Sequence, residues 1–415
     1  MTIKTLSSDQ FLKDIQGKNL NLLIGAGASV GLVNTLDLSQ LGESFEDLYS
    51  DKQLTSQQRA ALDLIWFKSW IQDTLITKEK IDEISAKKSD GRKTFENYKR
   101  FVNNLGNFLN REGYDKPKRA NIFTTNYDSL FELAFDEVAQ DQRMIYFNDG
   151  SRGFLNRYIS TENFNLNISH SAMSDNFQRS IPTINLLKIH GSITWDLEDQ
   201  RIKATINNDI FKEVIIAADE VINNIDLKDF SIIDKLFFHK KKLSDAEEKD
   251  SLQSLKSELS MFNEYSQDDF FANLNETPSP KLLKFEKDYH KLQVVNPTKD
   301  KFRETVFQQN YYQLLRMLSF ELEKRDSVLI VFGFSFADEH ILEIVRRSII
   351  NPYLKVYVIC YNKNSRRDLE NKLGLMKKMQ KQEELVNGII SKLDSLNIQD
   401  KKTLESIKKD LKKLI

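Results

Sequence analysis

The residues best suited to chemistry fall in short segments that each follow an apolar run: Gly25–Ser29 (GAGAS), Thr124–Asp128 (TTNYD), Lys188–Ser192 (KIHGS) and Gly333–Asp338 (GFSFAD). His190 is one of five histidines, and an imidazole titrates near neutrality, so it can take a proton from water or a hydroxyl. Asn126 brings a carboxamide, donor and acceptor at once, suited to holding a sugar hydroxyl or a water. Asp128 brings a carboxylate able to orient such neighbours. Both residues are also good helix caps. Gly25 and Gly27 remove side chains where a strand turns into a helix, so that backbone N–H groups and the helix start can face a phosphate. The third glycine is Gly31, giving G-x-G-x-x-x-G rather than the G-x-G-x-x-G of the usual dinucleotide fingerprint. Ser335 and Asp338 form S-x-x-D, which predicts a capping box for a helix beginning near Phe336. With Gly333 they can also face the adenosine end of a nucleotide. His340 beside Glu339 has no second histidine at a ligand-like spacing, so no metal is expected there.

A sheet must carry these segments. LNLLI ending at Ile24, ANIFTT (Ala120–Thr125), INLLKIH (Ile184–His190) and SVLIVFG (Ser327–Gly333) read as buried parallel strands. RMIYF (Arg143–Phe147) reads as another, and LKVYVICYN (Leu354–Asn362) follows a helix expected over about Ala337 to Ile349. Strand, helix, strand at this spacing is a βαβ unit. The expected fold is therefore α/β, a Rossmann-like parallel sheet flanked by helices. All four segments would then open at its carboxyl edge, where ligands of such folds bind.

Between the strands the texture changes. Residues 5–17 read as a short amphipathic helix, and about 45–117 as a helical layer carrying Trp66, Phe67 and Trp70. Residues 199–280 are polar and lysine-rich and read as a helical insertion ending in the turn-rich NETPSPK. From 366 to 415 a charged helical region has Leu385, Ile389, Ile390 and Leu393 at helical spacing. The expected organisation is a nucleotide-binding domain in two parts, 1–198 and 281–365, with the insertion at 199–280 and the helical tail at 366–415.

Composition narrows the function classes. The 415 residues are 40% hydrophobic and 29% charged, ordinary for a soluble protein, and the net charge of −1 provides no global pull toward nucleic acid or an anionic membrane. The lysines near Lys408 to Lys413 are interleaved with acidic residues, so nucleic acid is expected only through a partner, if at all. One cysteine, Cys360, permits neither an internal disulfide nor a multi-thiolate metal cluster within the chain. The amino-terminal stretch lacks the apolar core of a signal peptide, and no run is long enough to span a bilayer. A cytoplasmic location is the expectation.

The order GAGAS, TTNYD, KIHG, GFSFAD resembles the sirtuin (silent information regulator) family. The resemblance covers about half the chain and implies a pocket for NAD. It assigns Gly25, Ala26, Gly27 and Ser29 to phosphate binding, and Asn126 and Asp128 to the nicotinamide ribose. Thr125 takes the place of the family's glutamine in the same segment. His190 becomes the catalytic base, and Gly333, Ser335 and Asp338 lie on the adenosine side. Protein deacylases of the family carry a zinc ribbon of four cysteines, which a chain with only Cys360 cannot build. The family's G-I-P-D-F-R is absent too, Gly31 being followed by LVNTLD. What remains resembles the sirtuin-like NAD hydrolases of bacterial anti-phage defence. That likeness implies NAD as substrate without a metal, and hydrolysis to nicotinamide and ADP-ribose. It also implies a homo-oligomer whose activity is regulated, in some members with a HerA-type hexameric ATPase. A non-catalytic sensor of NAD or ADP-ribose that controls a partner protein is the alternative.

Overall fold

Apolar runs from distant parts of the chain meet in a six-stranded sheet whose order sets the four segments side by side. The computed structural model describes residues 8–33, 60, 63–64, 66–87, 89–113, 116, 118–141, 144–171, 178–205, 209–222, 280–295 and 306–373. The strands are β1 (Asn19–Ile24), β2 (Arg119–Thr124), β3 (Tyr146–Asn148), β4 (Ser151–Arg152), β5 (Arg157–Ile159), β6 (Ser169–Ser171), β7 (Gln178–Ser180), β8 (Thr183–Lys188), β9 (Trp195–Glu198), β10 (Arg201–Ala204), β11 (Ser327–Phe332) and β12 (Leu354–Ile359). The helices are α1 (Ser8–Ile15), α2 (Lys78–Lys87), α3 (Ser89–Asn110), α4 (Leu130–Asp141), α5 (Asp209–Ile222), α6 (Pro280–Tyr289), α7 (Val306–Glu323), α8 (Glu339–Ser348) and α9 (Lys363–Lys372). The main sheet runs β12-β11-β1-β2-β8-β3, parallel throughout, and makes the fold Rossmann-like α/β. β1 sits between β2 and β11, which the chain reaches on opposite sides, so the crevice beyond its carboxyl end is the topological switch point.

Successive side chains of a strand face opposite ways, and here both faces are covered. Leu20, Leu22, Ile24, Ile122 and Leu186 pack with Phe95, Val102, Phe131 and Ala134 of α3 and α4. Leu23, Phe123, Leu187, Leu329 and Val331 pack with Tyr311, Leu314, Leu318, Ile341 and Val345 of α7 and α8. Double burial is why these strands read as unbroken apolar runs. Each fully buried Leu or Ile contributes roughly 1.5–3 kcal/mol.

One polar row interrupts the apolar faces. Asn21, Asn121, Asn185 and Asn148 occupy paired positions on β1, β2, β8 and β3, and all are buried. Their carboxamides form a ladder. Asn121 donates to Asn21 at 2.9 Å, Asn185 to Asn121 at 2.8 Å and Asn148 to Asn185 at 2.9 Å. Asn21 continues it to Ser327 Oγ on β11 at 3.1 Å. A slip of one residue would strand these amides without partners, at about 1–3 kcal/mol each. The ladder therefore fixes the register, and the register makes Ile24, Thr124, Lys188 and Phe332 end level.

A third core lies in the helical layer. Trp66, Phe67 and Ile71 pack with Phe211 and Val214 of α5 and Phe285 and Tyr289 of α6, and Tyr127 and Ile193 from the site loops join them. The expected helical texture around Trp66 to Trp70 is thus present, and this layer touches the loops at the carboxyl edge. Three details differ from the sequence reading. β8 ends at Lys188, so Ile189 and His190 belong to the turn that follows. The helix after Gly333 begins at Glu339, with Asp338 as its N-cap accepting from the Ile341 N–H, rather than near Phe336. Phe336 instead takes a left-handed backbone at φ 54, held there by burial of its ring. Finally, Arg201–Ala204, expected as the start of a helical insertion, pairs with β9 across a tight turn at Asp199 and Gln200, both with positive φ. The β9–β10 hairpin of the antiparallel sheet β4-β5-β10-β9 was hidden because neither turn residue is a glycine. Residues 45–59 of the expected helical layer, Arg143, residues 223–279 of the insertion and the tail from 374 onward lie outside the described residues. No helix among the described residues is long and apolar enough to cross a membrane.

Candidate active site

The four segments open from the carboxyl ends of β11, β1, β2 and β8, adjacent strands of one sheet. After β1 the chain makes a single 3-10 turn, Ala26–Ser29, too short to carry much helix dipole. The glycines around it answer first to packing. A Cβ on Gly25 would sit 2.5 Å from the Gly333 carbonyl oxygen, and one on Gly27 would sit 2.9 Å from Gly333 Cα. Gly27 N–H donates to Gly333 O at 2.9 Å and Gly25 N–H to Phe332 O at 3.1 Å. The β1 and β11 loops are thus fused backbone to backbone. Gly333 itself adopts φ +64 with the Ala28 nitrogen 2.4 Å from its would-be Cβ, so only glycine fits.

From this turn Ser29 enters a buried polar cluster. Its hydroxyl donates to Asp128 Oδ2 at 2.8 Å, accepts from Asn126 Nδ2 at 3.0 Å and lies 2.9 Å from the Tyr98 hydroxyl of α3. Asp128 Oδ1 accepts from the Leu130 N–H at 3.1 Å and so caps α4. Burial pushes the Asp128 carboxyl up from its ordinary value, an effect partly offset by the Lys188 charge. Burial, then the Asp128 charge, holds the Tyr98 phenol well above its own. Asn126 is 6% exposed, and its carbonyl oxygen Oδ1 has no hydrogen-bond partner among the described residues. Thr125 is buried and ties this loop to β1 through its N–H and Ile24 O, 3.2 Å.

Lys188 staples the cluster from β8. Its ammonium lies 2.6 Å from Glu132 Oε1, donates to Ser192 Oγ at 3.1 Å and also to the Asp128 carbonyl. The side chain is only 3% exposed, and these partners offset the cost of burying it. The sequence reading quoted Lys188 without giving it a role. A lysine closing an apolar strand was the available signal.

His190 follows two residues later, at the level where Asn126 follows β2, because Thr124 and Lys188 are paired and Ile189 N–H still donates to Thr124 O. Gly191 takes φ +84 and lets the chain turn back against Val294. The imidazole Nε2 lies 3.1 Å from Asp338 Oδ2, with 13% and 5% of the two side chains exposed. The Tyr311 ring of α7 lies tilted beside the imidazole, centroids 6.1 Å apart. The Tyr311 hydroxyl is buried without a partner among the described residues, whereas the Tyr127 hydroxyl donates to Val295 O at 2.7 Å. Burial, then the charge of Asp338, raises both phenols above their ordinary value.

The structure thus joins Ser29, Asn126 and Asp128 in one cluster and His190 with Asp338 in another. Among the described residues no hydrogen bond links Asp128 to His190. Ser335 is exposed and its carbonyl accepts from Lys372 at 2.9 Å. Tyr98 and Tyr311 are not legible in the sequence because they come from helices with no motif of their own. In the helical layer, Asp63, Glu286 and His290 bring ligand-type atoms within 4.8 Å of one another. His290 Nε2 lies 3.6 Å from Asp63 Oδ2.

No curated protein matches the chain in a sequence comparison. A family model described as a SIR2-like domain matches residues 120–243, a stretch that begins in β2 and takes in Asn126, Asp128 and His190. Over that stretch, which holds the asparagine and the histidine of the site, the chain is similar to a SIR2-like domain.

Proposed function

We propose that the chain hydrolyses NAD at the bond between nicotinamide and ribose, giving nicotinamide and ADP-ribose. The observation that carries this reading is the buried, unpartnered carbonyl oxygen of Asn126, placed at the same sheet edge as the His190 imidazole. A buried acceptor left open costs about 1–3 kcal/mol, which a ribose hydroxyl or a held water would recover. Nicotinamide leaves as a neutral ring and takes the electron pair of the broken C–N bond, so no general acid is needed. What must be met is the oxocarbenium-like sugar and the proton released by the attacking water. Asn126 holds ribose and water, His190 takes the proton as the water oxygen bonds to the anomeric carbon, and Ser29 with Asp128 keeps the carboxamide in place. The fused loops at Gly25–Ser29 and Gly333–Ser335 flank the diphosphate and adenosine.

Deacylation is the weaker reading, because a chain with one cysteine cannot form a four-cysteine zinc ribbon. Destruction of NAD harms a host cell, so the activity belongs to a regulated effector, in keeping with anti-phage defence. A homo-oligomer gated by a HerA-type ATPase would provide the control. The test is release of free nicotinamide from NAD by the purified protein, alone and with such an ATPase. Wild type should release it, and His190→Ala and Asn126→Ala should not. Undiminished release in either variant removes the assignment, and NAD binding without turnover turns the reading to a sensor.

A further inference from the structure

We infer that Asp338 is the positioning residue of His190, that it selects the tautomer with hydrogen on Nε2, and that Nδ1 is the nitrogen that accepts the proton. The chemistry rests on the hydrolytic reading above, whereas the tautomer rests on geometry alone. Asp338 Oδ2 lies 3.1 Å from His190 Nε2. A carboxylate only accepts, so a neutral imidazole facing it must carry its hydrogen on Nε2 and leave the Nδ1 lone pair open. Among the described residues Nδ1 has no hydrogen-bond partner.

The carboxylate is itself held. Its second oxygen, Oδ1, accepts from the Ile341 N–H at 3.0 Å, so the first turn of α8 sets its orientation. With 5% of its side chain exposed against 13% for the imidazole, the pair sits where a charge-assisted hydrogen bond is strong. As Nδ1 takes the proton of the attacking water, the imidazolium forms opposite this carboxylate. The S-x-x-D spacing places Asp338 in a capping box with Ser335 and on the adenosine side. The structure gives it the cap and the imidazole.

The test separates the two roles of Asp338. Asp338→Asn keeps an oxygen for the Ile341 N–H but turns an NH2 toward Nε2, which drives the hydrogen onto Nδ1. Asp338→Ser keeps a capping hydroxyl and reaches no imidazole. The full-length chain labelled with nitrogen-15 histidine reports the tautomer by NMR, with His190→Ala assigning the signal. Wild type should show hydrogen on Nε2, and Asp338→Asn should show it on Nδ1. The asparagine variant should lose roughly 100-fold or more in kcat with KM for NAD within about threefold, and Asp338→Ser should lose less. Hydrogen on Nδ1 in the wild type, or an asparagine variant within about twofold of wild-type kcat, overturns the inference. Should the wild type release no nicotinamide, the hydrolytic reading fails by itself. The tautomer then decides this one, Nε2–H upholding it and Nδ1–H overturning it.

Discussion

Two polar clusters stand at one sheet edge and are built on different terms. Around Ser29 most polar atoms are engaged: Asp128 has a hydroxyl and a backbone N–H, Ser29 has three neighbours, and Lys188 has Glu132, Ser192 and a carbonyl, leaving Asn126 Oδ1 and Glu132 Oε2 open among the described residues. Around His190 there is one contact to Asp338, and the Tyr311 hydroxyl is unpartnered among the described residues. A saturated network specifies geometry, and a network with open atoms keeps capacity for a ligand. Asn126 belongs to both kinds, since its amide nitrogen is engaged and its oxygen is open.

Substitutions that separate stability from rate sharpen this contrast. The largest effect is expected at His190. Replacement by alanine should cost at least about 100-fold in nicotinamide release, while the thermal midpoint stays near wild type, as the imidazole has one partner. A large fall in that midpoint would break the distinction between the clusters. Lys188→Met should do the reverse, lowering stability by about 3 kcal/mol because buried carboxylates lose their compensating charge. Denaturant titration would show it, and an unchanged midpoint would mean that the ammonium is dispensable. Gly333→Ala should cost about 1–3 kcal/mol, since the new methyl group meets the β1 loop backbone at a positive φ. A neutral result there would mean that the two loops are not fused.

The smallest expected effect is in pH dependence. Burial raises the folded-state value of Asp128, so the folded carboxyl keeps its proton to higher pH than the unfolded one. Between those two values stability falls as pH rises. Asp128→Asn should flatten that fall in urea midpoints measured across the acidic range. Parallel curves for variant and wild type would show that ionisation inside the saturated cluster costs nothing.

Much of the fold was readable because doubly buried parallel strands write themselves as apolar runs, and each of the four candidate segments began where such a run stopped. The short strands β4, β5, β9 and β10 were not readable, being half-exposed, and the Asp-Gln turn that joins β9 to β10 has no glycine to mark it. The asparagine ladder was missed for another reason. Each asparagine looks like an isolated polar defect in its own strand, and only pairing reveals four defects in one row. Asp338, expected as the distal member of a capping box opened by Ser335, is itself the N-cap of the helix, and its neighbour His190 was not legible because an imidazole 148 positions away is not local.

The chain's order of residues, taken alone, determined which strands are buried, where they stop and which reactive side chains follow them, because periodicity and glycine placement act over a few residues. Tertiary structure alone decided that Gly25, Gly27 and Gly333 form a backbone-to-backbone seam, that Lys188 reaches Glu132 and Ser192 beneath the loops, and that the carboxylate facing His190 is Asp338 rather than Asp128. Those outcomes depend on which strands become neighbours and on the register in which they pair, and neither is a local property of the sequence.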